Sequence, residues 1–254
     1  KEKGIGLAKE IFNSENMKLL SGNIGISHNR YPTHGGFSHG EVQPFWTSVP
    51  YGIALAHNGN ITNYNEMADE VTQTENRYLN TTSDSEVLLH YFADQLHSNK
   101  PPKSSEKFFD ILCDAVSNIF TNVQGAYSVV SLIIGKGLVV FRDPQGIRPL
   151  VKGQRTNSNG SKDYIFASEN TMFYALGYEP TGTVLPGELI YVDEQGNVFN
   201  KRLVKTKFNP CIFEYVYFAR PDSTLNDVSV YRSRLRMGQN LAKSWEKKYP
   251  DKTP

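Results

Sequence analysis

IGISHNRYPT (residues 24–33) and IALAHNGN (residues 53–60) read as two paired strands that each end in polar groups, with the rest of the chain organised to hold those ends together. Each begins as an apolar or small-residue run and stops abruptly. The first breaks at Arg30-Tyr31-Pro32, where proline supplies no N–H to a ladder, and the second at Asn58-Gly59-Asn60. Strand ends are rigid mounts for chemistry, so these two are expected to floor an active site.

Working outward, THGGFSHG (33–40) is a Gly-, Ser- and His-rich loop beside the first strand end, either a lid or an ordinary exposed loop. Residues 7–12 form an expected short helix, and Asn63 an expected cap for another reaching about Glu70. Ser83-Asp84-Ser85-Glu86 fits a capping box ahead of the stripe Leu88, Leu89, Phe92, Ala93 and Leu96, which puts Asp84 in a helix's first turn. Pro101-Pro102 ends that helix, and a second follows with apolar residues at helical spacing from Phe108 to Val123. Residues 126–134 and 138–142 flank Gly135-Lys136-Gly137 as a hairpin apolar enough to be covered on both faces. Further strands are expected at 150–152, 164–167, 188–192 and 198–203, with Ser168 capping a short helix ending near Gly177. Beyond Phe208 an aromatic strand over 211–223 and a helix over 230–247 mark entry into another domain. Hairpins and paired helices, rather than strict strand–helix alternation, give an α+β fold of antiparallel sheets covered by helices.

The 254 residues, 39% hydrophobic and 12% aromatic, suffice for one large domain or a domain with part of a second. Lys and Arg number 27 against 26 Asp and Glu, with no like-charged run, which excludes a broad electrostatic footprint for nucleic acid or anionic lipid. The longest apolar stretch, 129–141, is cut by Gly135-Lys136-Gly137 and falls short of the roughly 20 residues a spanning helix needs, so no membrane partner is expected. Two cysteines make no disulfide framework and no secretory leader is visible, which together lead to a cytoplasmic expectation. The chain opens on Lys1 and stops at Pro254 just after a helical pattern, as a fragment would.

Several residue sets could carry chemistry. The planar fork of Arg30 suits a carboxylate and Asp84 suits an ammonium, so the pair could grip both ends of an α-amino acid; a surface arginine and a helix-start aspartate would read the same way. Asn58 and Gly59 could offer a side-chain NH2 and a backbone N–H to an oxyanion, or form an Asn-Gly hairpin turn. His28, His34 and His39 lack the spacing of a zinc site, and no metal site is expected. Cys113, in a core-type helix, and Cys211, after Asn209-Pro210, read as structural thiols.

The ordered segments HNRYPT, EVQPF, PYGIALAHNGNITN, TTSDSEVLL, FRDPQGIRPL, LPGE and FEYVYFARPDS resemble the glutamine phosphoribosylpyrophosphate amidotransferase (amidophosphoribosyltransferase) family along essentially the whole chain. The resemblance implies a four-layer αββα sandwich of the N-terminal-nucleophile hydrolase type over residues 1–208, and the start of a phosphoribosyltransferase domain over 209–254. It implies that glutamine is hydrolysed in the first domain, and that ammonia displaces pyrophosphate from phosphoribosyl pyrophosphate in the second to give phosphoribosylamine. Carried over by motif, Arg30 binds the glutamine carboxylate and Asp84 its α-amino group. Asn58 and Gly59 form the oxyanion hole, and Tyr31 and Thr33 belong to a loop closing over glutamine. The family's nucleophile is a cysteine at the mature N-terminus, and Lys1 resembles sequence several dozen residues downstream of it, so the fragment is expected to be inactive alone. Mg2+ and the phosphate-binding segment are expected in the complete protein rather than here, and a homo-oligomer is expected. Cys211 stands where one branch supplies an iron–sulfur ligand that others keep without a cluster, which leaves cluster content open. Two alternatives are a catalytically empty glutamine-binding or interface module, and the glutaminase of a cousin such as glucosamine-6-phosphate synthase. RxxTHG fits that cousin, and FEYVYFARPDS does not.

Overall fold

The computed structural model describes residues 1–30, 39–74, 76–97, 102–250 and 252. In chain order its elements are α1 (Ala8–Ile11), α2 (Ser14–Leu19), β1 (Phe45–Thr47), β2 (Ile53–Ile61), α3 (Tyr64–Asp69), α4 (Asp84–Gln95), α5 (Ser105–Asn122), β3 (Gly125–Ile133) and β4 (Gly137–Arg142). There follow β5 (Val151–Thr156), β6 (Lys162–Ala167), β7 (Glu179–Thr183), β8 (Glu188–Asp193), β9 (Val198–Arg202), β10 (Thr224–Leu225), β11 (Val228–Ser229) and α6 (Val230–Lys248). The chain falls into two compact units, Lys1–Arg148 with Leu185–Phe208, and Pro149–Val184 with Asn209–Pro254. One seam lies between Phe208 and Asn209, where the sequence changes character, and residues 149–184 form an excursion out of the first unit.

The first unit is built on a six-stranded antiparallel sheet in the order β1-β2-β3-β4-β8-β9. Helices α4 and α5 lay the expected stripes on one face: Leu88, Leu89, Phe92 and Leu96 from α4 meet Phe108, Leu112, Val116 and Ile119 from α5 above Leu55, Val129, Phe141 and Tyr191 of the strands. Each such side chain, taken fully from water, contributes about 1.5–3 kcal/mol before chain entropy is counted. Every residue of β8 is buried, including Glu188 and Asp193 at its two ends. In the second unit β6-β5-β7 form a three-stranded antiparallel sheet, and Val151 and Phe173 join Tyr215, Leu225 and Val230 in a smaller core. The architecture is α+β with antiparallel sheets. No helix among the described residues is long and apolar enough to cross a membrane.

Six local readings are corrected. Residues 24–30 form no strand, because a strand exists through its ladder and β2 instead pairs with β1 and β3; residues 31–33 lie outside the described residues. Asn58-Gly59-Asn60 does not end its strand but runs inside β2, with Asn58 opposite Ser128 and Gly59 opposite Tyr127, which removes the hairpin-turn reading. The capping box is half built: Ser83 accepts from Ser85 N at 3.3 Å, while the buried Glu86 turns to Asn80 and Thr81 instead of reaching back. Asn63 stands at the start of α3 without capping it, its side chain being engaged by Asn122 O and Gln124 N. Residues 211–223 hold a π turn, Glu214–Phe218, rather than a strand, and the helix expected after Ser168 is one 3-10 turn, Tyr174–Leu176, stopped by Gly177 at φ +75. Strand β7 was not foreseen: Pro180 and Gly182 give it little strand character, and it forms by pairing with β5.

Candidate active site

The site is organised by one edge of β2. In an antiparallel sheet alternate residues direct N–H and C=O to the same side, so β2 offers its even-numbered residues to β3 and its odd-numbered ones to the opposite edge. Strand β1 covers that edge only from Ile53 to Leu55. Beyond it, among the described residues, side chains bond to this edge. The Gln43 amide takes His57 N–H at 2.7 Å and donates to His57 O at 3.1 Å, and the Asp84 carboxylate takes Ile61 N–H at 3.1 Å. Between these two clamps, Gly59 presents its N–H to the same edge.

Gly59 is required there. A Cβ at this position would stand 1.9 Å from Ala126 O and 2.7 Å from His57 Nε2, so only a hydrogen side chain fits between β2, β3 and the imidazole. Its neighbour Asn58 lies on the other face of the strand, where its Oδ1 accepts from Arg148 Nη2 at 2.7 Å. The Asn58-Gly59 pair is therefore held by the sheet rather than by a turn.

Asp84 opens α4, so its carboxylate sits at a helix N-terminus as well as on β2. Its Oδ1 lies 3.8 Å from His57 Nδ1, and that nitrogen is 3.1 Å from Ser85 Oγ. His57 is 3% exposed, and burial holds its pKa below the usual imidazole range; Asp84 opposes this and the Arg148 charge adds to it. A neutral imidazole between Ser85 and Asp84 fixes the first turn of α4 against the strand.

Arg30 is tied to the same strand end from the other direction. Its Nη1 pairs with Glu41 Oε2 at 2.8 Å, and Glu41 lies two residues before Gln43, the residue that clamps His57. Arg30 and His57 also both bear on His28, whose pKa burial lowers to about 4, helped by these two neighbours. Thus Arg30, Asp84 and the Asn58-Gly59 pair attach to one short length of β2 through Glu41, Gln43 and His57. Tyr31 and Thr33 lie outside the described residues.

Five contributors escaped the sequence reading: Glu41, Gln43, His57, Ser85 and Arg148. All five stand in the quoted motifs EVQPF, PYGIALAHNGNITN, TTSDSEVLL and FRDPQGIRPL, which was the available signal. The two cysteines are elsewhere: Cys113 is buried within α5, and Cys211 belongs to the second unit.

Known proteins resemble this chain in sequence and in fold. The family model described as "Glutamine amidotransferase domain" matches residues 28–175. The chain is 45% identical to the amidophosphoribosyltransferase of Pseudomonas aeruginosa over 97% of its length, 44% identical to that of Escherichia coli over 96%, and 40% identical to that of Schizosaccharomyces pombe over 98%. It spans about half the length of these relatives, 48%, 49% and 48%. The solved glutamine phosphoribosylpyrophosphate amidotransferase from B. subtilis, complexed with ADP and GMP, is similar over 85% of this chain and 43% of its own, at 30% identity and TM-score 0.67. A second structure, that of the allosteric regulatory enzyme of purine biosynthesis, matches over the same shares at 29% identity and TM-score 0.70. These neighbours put the fold in the N-terminal-nucleophile hydrolase sandwich class. With the family model spanning more than half of the residues and including both the Asn58-Gly59 strand and Asp84, the chain belongs to the glutamine amidotransferase domain family.

Proposed function

We propose that this chain is the glutamine-handling part of an amidophosphoribosyltransferase. Arg30 receives the α-carboxylate of glutamine and Asp84 its α-ammonium, so the two ends of the amino acid are fixed by opposite charges. That leaves the side-chain amide of glutamine over β2, where Gly59 N–H and the Asn58 NH2 face its carbonyl oxygen. Tyr31 and Thr33 belong to the loop that closes over the bound amino acid.

The nucleophile is the thiol of a cysteine at the mature N-terminus of the complete protein, with its own α-amine moving the proton. Sulfur bonds to the amide carbon, and the carbonyl oxygen takes the displaced electron pair as an oxyanion held by Asn58 and Gly59. The oxyanion collapses, the C–N bond breaks, and the protonated nitrogen leaves as ammonia. Water then cleaves the thioester to give glutamate and restore the thiol. Ammonia goes on to displace pyrophosphate from phosphoribosyl pyrophosphate, giving phosphoribosylamine for purine synthesis.

Mg2+ is assigned to the transferase domain of the complete protein, with phosphoribosyl pyrophosphate, and no step above passes through it. The relatives' names support the second substrate. We also place the protein in the cytoplasm as a homo-oligomer, with 209–254 as the start of the transferase domain. The balanced charge speaks against a nucleic-acid partner.

One observation carries the glutamine reading: four consecutive residues of one strand, 58–61, bring together the Asn58 amide, the Gly59 N–H and the Asp84 anion bound at Ile61. In the complete protein, Arg30→Ala and Asp84→Ala are expected to abolish most glutamine-dependent synthesis while sparing synthesis from free ammonia. Equal loss with both nitrogen sources would refute the assignment.

A further inference from the structure

We propose that Arg148 is the positioning residue of the oxyanion hole, acting through Asn58; this rests on the glutaminase reading above. A side-chain amide has one accepting end and one donating end, and only the donating NH2 can stabilise an oxyanion. Nothing in the asparagine itself selects which end faces the substrate. A guanidinium selects it, because Arg148 Nη2 at 2.7 Å can only donate and so captures Oδ1, which turns the NH2 to the other side. The cation also polarises the amide in the sense that strengthens its N–H donors.

The arginine is itself held rigidly. The buried Asp143 is the hub of the turn before it, accepting from Gln145 N at 3.1 Å and Ile147 N at 3.0 Å through one oxygen and from Arg148 N at 3.1 Å through the other. The buried Arg142 then closes the turn from outside, donating to Arg148 O at 2.5 Å and Gly146 O at 2.8 Å. A loop with two fully buried charged residues devoted to its backbone delivers one guanidinium to one asparagine. This gives the motif FRDPQGIRPL a task in the reaction, carried out by a residue that need not touch glutamine.

The test is a double-mutant cycle on glutamine hydrolysis by the complete protein, using Arg148→Met, Arg148→Lys, Asn58→Ala and Arg148→Met with Asn58→Ala. Loss of an oxyanion donor lowers kcat by about 10²–10³, so Asn58→Ala is expected in that range and Arg148→Met about 10–100-fold down, each with KM for glutamine within about threefold of the parent. The double variant should be no slower than Asn58→Ala by more than about threefold, because Arg148 works through that side chain. Arg148→Lys, which keeps the charge, should recover at least about threefold over Arg148→Met, and it carries the test if Arg148→Met fails to fold. Multiplicative losses in the double variant would overturn the proposal, as would normal kcat in Arg148→Met beside a slow Asn58→Ala. Normal hydrolysis in Asn58→Ala would instead sink the glutaminase reading itself.

Discussion

Replacing Glu86 by glutamine tests how the start of α4, and with it Asp84, is held in place. The carboxylate is 4% exposed and accepts four hydrogen bonds: one oxygen from Asn80 N and Asn80 Nδ2, both at 3.0 Å, the other from Thr81 N and Thr81 Oγ1, both at 2.7 Å. Burial alone would raise its pKa, but these donors outweigh burial and hold it below the usual 4.5. Glutamine keeps one oxygen and sets an NH2 against the remaining donors. Two bonds to a charged acceptor are then lost, and at about 1.5–3 kcal/mol each, discounted for shared geometry, the cost is about 2–4 kcal/mol. For a protein of this size that lowers Tm by roughly 5–15 °C, since each kcal/mol moves it about 2–4 °C. Thermal unfolding at pH 7, followed by near-ultraviolet dichroism, reads the shift. The pH dependence carries a further signature. A carboxylate whose folded pKa is depressed contributes its stability above pH 4.5 and loses it as pH falls through the folded value, so the gap between parent and variant should narrow in acid. A variant within about 0.5 kcal/mol of the parent at pH 7 would refute the view that Glu86 is the anchor of this turn.

Two more outcomes follow from the geometry. Gly59→Ala should destabilise the first unit by about 3 kcal/mol or more and abolish glutamine hydrolysis, because its Cβ would overlap the Ala126 carbonyl; soluble protein with parental Tm would contradict this. His28 has a folded pKa of about 4 against 6.5 when exposed, so between those values the unfolded chain binds a proton that the folded one refuses. Stability should therefore decline as pH falls from 6.5 to 4 and show no His28 contribution above that window, and His28→Gln should flatten this limb in denaturant titrations run across the range.

The periodic elements were legible because their causes are local. The stripes of α4 and α5 and the Gly135-Lys136-Gly137 hairpin follow from spacing and turn chemistry, and they sit where expected. Readings failed where a partner outside the element itself decided the outcome. Glu86 had the spacing of a capping residue, yet Asn80 and Thr81 offered more donors than the helix end did. Asn58-Gly59 had the signature of a turn, yet β3 ran alongside and kept both residues in a strand.

The sequence by itself determined the α+β class, the helical layer and the chemical types brought to the site, an arginine, an aspartate and an Asn-Gly pair. Tertiary structure alone decided that Gln43 and Asp84 bond to the backbone of β2, and that a guanidinium ninety residues away fixes the Asn58 amide. The physical reason is that a side chain's hydrogen-bonding capacity is written in its identity, whereas its partner is set by which backbone groups the folded sheet brings within reach.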